Sequence, residues 1–216
     1  MKKYKAVLFD LDGTLLDTLD DLGAAVNSAL SKRGLPLHDR ASYRMKVGHG
    51  IRDLVTKSLP EERQGDAAFI DACLADFKDY YTTHIDIHTR PYPGMPALLQ
   101  DLHRKGVALA IASNKFQEGT EHLVREFFPD IPFVAILGNR PGAPLKPDPR
   151  IVQEVLRAAG VAAEEAVLVG DSGTDMQTAA NGGIDRIAVD WGYRPMKGTP
   201  GLTVVETVGE LRSLLL

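Results

Sequence analysis

The sequence predicts an α/β protein, a doubly wound parallel sheet with helices packed against it. Three observations carry that prediction. Five short runs are apolar without the alternation of a half-solvated strand, amphipathic helical stretches lie between most of them, and one long helical interval follows the first run. At 216 residues there is room for one large domain, or for a core with a smaller insertion.

Taken in order, the first run is "KAVLF" (5–9), which ends in Asp10 and Asp12 with Gly13 and Thr14 directly behind. From about residue 17 to 84 the pattern is helical only. Leu22, Ala25, Val26, Ala29 and Leu30 share one face, and Ala67, Ile70, Leu74, Phe77 and Tyr81 advance by threes and fours. Cys73 falls off that second stripe and is expected to be an inert thiol. These helices could belong to a single core, but the interval exceeds an ordinary crossover several-fold and reads as an inserted domain.

"GMPALLQDLHRKG" then places Leu98, Leu99 and Leu102 on one face and closes at Gly106. Strand runs "VALAIA" (107–112) and "FVAIL" (133–137) follow, then a Pro/Gly-rich loop, "NRPGAPLKPDP" (139–149). The next helix is expected to take Asp148 as its N-cap, Pro149 as its first residue and Gly160 as its stop. "AVLVG" (166–170) and "IDRIAV" (184–189) complete the strands, and "VETVGELRSLLL" reads as a closing helix.

Composition narrows the function. The net charge of -4, from 25 basic and 29 acidic residues without a long basic run, argues against nucleic acid as a partner. One cysteine excludes an intrachain disulfide and points to a reducing compartment. The apolar stretch near the start is broken by Asp10 too early for a signal core or a membrane span. A cytoplasmic protein without a membrane partner is expected, as a monomer or homodimer.

In an open parallel sheet the ligand crevice lies beyond the carboxyl ends of the strands. Four segments deliver reactive groups to that rim: Asp10 and Asp12; Ser113, Asn114 and Lys115; Lys146, expected to open a helix; and Asp171 with Asp175. A single strand-terminal aspartate is as often a cap or turn former. Four converging segments are not explained by capping. Crowded carboxylates call for a hard divalent cation, and Mg²⁺ suits oxygen ligands. Ser113 can hold phosphoryl oxygens, Lys146 can supply compensating charge, and Asp175 can order water around the metal. Together these groups are complete for phosphoryl transfer.

"DLDGTLLDT", "ASNK", "LKPDP" and "GDSGTDMQTA" resemble, in order, the four motifs of the haloacid dehalogenase superfamily. The match spans nearly the whole chain, and its first and last motifs are the specific ones. Within that superfamily the sequence is similar to phosphoglycolate phosphatase-like enzymes, also through "KVGHGIRDLV" (46–55) and "DWGYRP" (190–195). The resemblance implies a Rossmann-like core of residues 1–14 and 85–216 with an α-helical cap domain at 15–84. It implies an aspartyl phosphate formed on Asp10, with Asp12 handling protons. Mg²⁺ would be held by Asp10, the backbone carbonyl of Asp12, and Asp171, with Asp175 nearby. Ser113, Asn114 and Lys146 would bind the phosphoryl group of a small phosphorylated metabolite, with 2-phosphoglycolate as the leading substrate.

Gly48, His49, Gly50 and Arg52 are candidates for substrate contact from the cap, with Arg52 reading a carboxylate. A plain helix–helix turn with a solvated arginine explains the same residues equally well. His84 and His88, four apart, are a weak metal pair, and Trp191 and Tyr193 read as packing residues. Arg140 stands where phosphoglycolate phosphatases carry acidic residues, which leaves sugar phosphates, pyrophosphate and nucleoside monophosphates open. Asp12 argues against carbon–halogen dehalogenation and against phosphonate cleavage. A sugar-phosphate mutase shares the same motif residues, and the complete set of reacting groups argues against a non-enzymatic binding module.

Overall fold

The computed structural model describes residues 4–216, which form two compact units. One unit holds the residues through Asp17 together with Pro91–Leu216, and the other is Thr18–Arg90.

The Thr18–Arg90 unit is helical: α1 (Leu19–Ser31), α2 (Arg40–Arg44), α3 (Ile51–Ser58) and α4 (Ala67–His84). The expected face of α1 is buried, and it packs against α4. Asp39 and Asp66 cap α2 and α4 by accepting from the N–H groups of Ser42 and Phe69. The buried stripe of α4 is Ile70, Cys73, Phe77 and Tyr81. Cys73 is therefore on the stripe, not off it, and Ala67 is exposed while Leu74 is only half-buried. Both sets obey three- and four-residue spacing, and packing against α1 selects one. Burial pushes the Cys73 thiol up, with Asp76 adding to the shift and Arg33 opposing it. Asp21, buried in the first turn of α1, accepts from the N–H groups of His88 and Thr89 and from the Thr89 hydroxyl. This ties the returning chain to the helix start. His84 is the last residue of α4, so His84 and His88 share no helix face.

The other unit is built on β1 (Ala6–Phe9). β2 (Leu16–Asp17) and β3 (Arg90–Pro91) pair as a separate two-stranded ribbon. There follow α5 (Met95–Arg104), β4 (Ala108–Phe116), α6 (Gln117–Phe127), β5 (Phe133–Asn139), α7 (Arg150–Ala159) and β6 (Ala166–Gly170). The chain ends with α8 (Gly173–Gly182), β7 (Asp185–Val189), β8 (Thr203–Val205) and α9 (Val208–Leu215). The main sheet is parallel throughout, in the order β5-β4-β1-β6-β7-β8. From β1 the chain moves outward through β4 and β5, then returns to β6 on the other side and moves outward again. The order thus reverses beside β1, the position at whose carboxyl ends open parallel sheets bind their ligands.

β1 and β6 are buried along their whole length. Val7, Leu8 and Phe9 are fully buried, and each contributes about 1.5–3 kcal/mol. That stabilisation offsets the cost of the carboxyl groups placed at the strand's end. On one face Ala6, Leu8, Ala110 and Leu168 pack with Ile151, Val152, Val155 and Ala179 of α7 and α8.

Three elements differ from the sequence reading. β4 runs four residues further, so Ser113, Asn114 and Lys115 belong to the strand's own end, after a shift of register past Ala112. α7 begins at Arg150 with Pro149 as N-cap; Asp148 accepts from Arg150 N–H at 2.9 Å from one position earlier. Lys146 therefore lies in the loop and does not open the helix. β8, only three residues long, was not expected at all. Among the described residues no helix is long and apolar enough to cross a membrane.

Candidate active site

Asp10 leaves β1 with its N–H donated to Val169 O (3.0 Å), so the strand pairing carries it directly to the rim. The chain then turns tightly: the N–H groups of Thr14, Leu15 and Leu16 all converge on Leu11 O. Gly13 sits in this turn at φ 84°, and a Cβ there would meet Asp171 Oδ2 at 2.5 Å. Only glycine permits both the conformation and the approach.

Lys146 is the centre of the site. Its buried ammonium donates to Asp10 Oδ1 (2.9 Å), Asp175 Oδ1 (2.5 Å) and Ala112 O (2.7 Å), using its three protons on three acceptors from β1, α8 and β4. Burial pulls its pKa down, but the charges of Asp10 and Asp175 outweigh that and hold it above the ordinary lysine range. Asn114 fixes the lysine's backbone: its Oδ1 accepts from Lys146 N–H (2.8 Å) and its Nδ2 donates to Lys146 O (3.2 Å).

Asp171 follows β6, and its Oδ2 accepts from Tyr193 N–H (2.8 Å). A Cβ on Gly192 would meet Asp171 Cβ at 2.3 Å, so that loop also lies hard against the acid. Asp175 is locked by a capping box at the start of α8: its Oδ2 accepts from Ser172 N–H (3.1 Å) and Oγ (2.5 Å), and Ser172 Oγ accepts in return from Asp175 N–H (3.3 Å).

Carboxylate oxygens of Asp10, Asp171 and Asp175 lie within 4.8 Å of one another. Burial pushes Asp10 up to about 6; Asp175 and Asp12 add to the shift, against the pull of Lys146. Burial, then Asp175 and Asp10, push Asp171 up to about 8, opposed by Tyr193 N–H and Arg194. Three buried carboxyl groups are thus clustered, two of them paired with the one Lys146 ammonium. An all-oxygen donor set with surplus negative charge fits a hard divalent cation. Asp12 stands apart from this set. Its carboxylate meets the Lys115 ammonium at 3.2 and 3.4 Å. Ser113 Oγ accepts from Lys115 N–H (3.3 Å), which leaves the hydroxyl proton to be donated.

Gly48, His49, Gly50 and Arg52 belong to the helical unit. Gly50 is the N-cap of α3, Gly48 has φ 119°, His49 Nδ1 lies 3.9 Å from Asp53, and Arg52 pairs with Asp71 near the surface. Arg140 pairs with Glu154 at 2.9 Å.

The sequence reading missed several parts of this arrangement: Lys115 against Asp12, the Ser172 capping box, the Tyr193 N–H on Asp171, and the Ala112 carbonyl under Lys146. A signal existed for the capping box, since Ser172 stands three residues before Asp175. Trp191 donates to Thr14 O (3.1 Å), tying its loop to the first turn.

A family model for haloacid dehalogenase-like hydrolases matches residues 7–189. A phosphoglycolate phosphatase of Mesorhizobium japonicum is 40% identical over 188 residues, 87% of this chain and 83% of that protein. The phosphoglycolate phosphatase of Aquifex aeolicus is 30% identical over 189 residues, 88% of this chain and 86% of that one. Among solved structures, a Lactobacillus delbrueckii subsp. bulgaricus protein with a provisional phosphoglycolate phosphatase assignment superposes with TM-score 0.91, at 34% identity and 99% coverage of both chains. CbbY from Rhodobacter sphaeroides, solved in complex with phosphate, superposes with TM-score 0.75 at 25% identity and 96% coverage of both.

Proposed function

The chain belongs to the haloacid dehalogenase-like hydrolase family, and on that premise we propose that it is a Mg²⁺-dependent phosphatase acting on a small phosphorylated metabolite, foremost 2-phosphoglycolate. The observation that carries the reading is the convergence of Asp10, Lys146 and the Asp171–Asp175 pair, from three separate segments, at the sheet's reversal point. The relatives named phosphoglycolate phosphatase support the substrate.

Asp10, Asp171 and the backbone carbonyl of Asp12 would hold the cation, with Asp175 beside them. When bound, it neutralises the carboxylates and draws charge from the phosphoryl oxygens, so that an anionic nucleophile and a phosphate dianion can meet. Asp10 is the nucleophile. A lone pair on its carboxylate oxygen forms the bond to phosphorus while the ester P–O bond breaks. The departing oxygen takes the proton carried by Asp12. In the second step Asp12, now a carboxylate, takes a proton from the water that attacks phosphorus. The Asp10–phosphorus bond breaks, inorganic phosphate leaves, and Asp10 is regenerated.

The Ser113 hydroxyl binds a phosphoryl oxygen, and Lys146, held against Asp10, supplies positive charge beside the phosphoryl group as negative charge grows on it. Asn114 acts on Lys146, since both ends of its amide are spent on the lysine's backbone. Asp175 holds the ammonium from the other side.

The test is a panel of phosphate esters assayed with Mg²⁺. The highest kcat/KM is expected for 2-phosphoglycolate, with all turnover lost in Asp10→Asn. Absence of hydrolysis across the panel would contradict the reading.

A further inference from the structure

Lys115 has no part in the mechanism above, yet it is among the most buried cations of the protein, with a side chain 1% exposed. Its ammonium faces both oxygens of Asp12, at 3.2 and 3.4 Å. The two residues are 103 positions apart, on neighbouring strand ends that the β1–β4 pairing holds together. A buried ammonium is costly unless it is paired, so the contact is a constraint built into the sheet. The other lysine of the site is spent elsewhere: Lys146 donates to Asp10, Asp175 and Ala112 O.

We propose that Lys115 is the positioning residue of the proton-transfer step, fixing the Asp12 carboxyl group so that it faces the oxygen whose proton it gives or takes. The inference rests on the phosphatase reading and deepens it. General acid–base transfer contributes about 10²–10⁴-fold, and only in the right geometry. Lys115 acts through Asp12, not on phosphorus. Its loss therefore weighs most where the leaving oxygen needs a proton most.

The test compares kcat/KM, which reports transfer to Asp10, for an alkyl phosphate and for 2,4-dinitrophenyl phosphate, whose leaving group departs without protonation. In Lys115→Met the loss for the alkyl ester should exceed the loss for the dinitrophenyl ester by at least about tenfold. With the dinitrophenyl ester the variant should also show a burst of product equal to the enzyme present, because hydrolysis of the aspartyl phosphate slows. In an Asp12→Asn background the same substitution should cost almost nothing more. Equal losses for the two esters, or losses that add in the double variant, would overturn the proposal and assign Lys115 to phosphoryl binding or to folding. Should Lys115→Met unfold, Lys115→Gln carries the same comparison. If wild type hydrolyses neither ester, or Asp10→Asn hydrolyses both, the phosphatase reading fails by itself.

Discussion

Removing metal should make this protein less stable at neutral pH than at mildly acidic pH, the reverse of ordinary acid denaturation. In the folded chain the Asp171 carboxyl is pushed up to about 8, by burial first and then by Asp175 and Asp10. Asp10 is pushed up to about 6, mainly by burial. Both titrate near 3.9 once unfolded. Between those values the folded state holds protons that the unfolded chain has released, so stability is greatest below the unfolded value and is lost as pH rises toward the folded one. From about pH 5.5 to 7.5, one such proton on Asp171 amounts to about 3 kcal/mol, with Asp10 adding a little at the lower end. At about 2–4 °C per kcal/mol for a chain of this size, Tm should fall by roughly 6–12 °C.

The assay is thermal unfolding across that range in chelator, repeated with excess Mg²⁺. The cation should raise Tm more at the higher pH, where it no longer competes with a proton. Asp171→Asn should flatten most of the metal-free slope and be more stable than wild type at about pH 7.5. A metal-free Tm that is level or rises over this range would refute the reasoning. So would an Asp171→Asn variant that keeps the wild-type slope.

Two further predictions concern the groups that hold the site in place. Asn114→Ala should cost about 1–3 kcal/mol by leaving the Lys146 backbone N–H buried without its acceptor. It should also lower kcat/KM by roughly tenfold or more as the lysine loses its register, measured by melting and steady-state kinetics. Gly13→Ala sets a Cβ 2.5 Å from Asp171 Oδ2 in a turn at φ 84°. Mg²⁺ affinity by calorimetry should fall about tenfold or more.

The buried parallel strands were legible because helices cover them and leave uninterrupted apolar runs, as in "AVLVG". The aspartates at their ends stood out because an acid is costly there without a partner. Partnership across the sheet was not legible. Nothing local says that Asn114 will grip a backbone 32 residues away, or that Lys115 will meet Asp12 across 103 residues. Both contacts follow from strand order: β1 beside β4 brings Asp12 to Lys115, and β5 beside β4 brings the loop of Lys146 to Asn114. β8 escaped notice because three residues are too few for a period. Cys73 was misplaced because adjacent helical stripes share their spacing until a partner helix chooses between them.

The proposed turnover depends on a covalent bond between Asp10 and phosphorus, and rapid-quench mass spectrometry during turnover with Mg²⁺ examines that bond directly. One phosphoryl group should appear on the protein, map to Asp10 after digestion, vanish when substrate is exhausted and never form in Asp10→Asn. Turnover without a labelled intermediate under burst conditions, a label on another residue, or sustained activity in Asp10→Asn would contradict it.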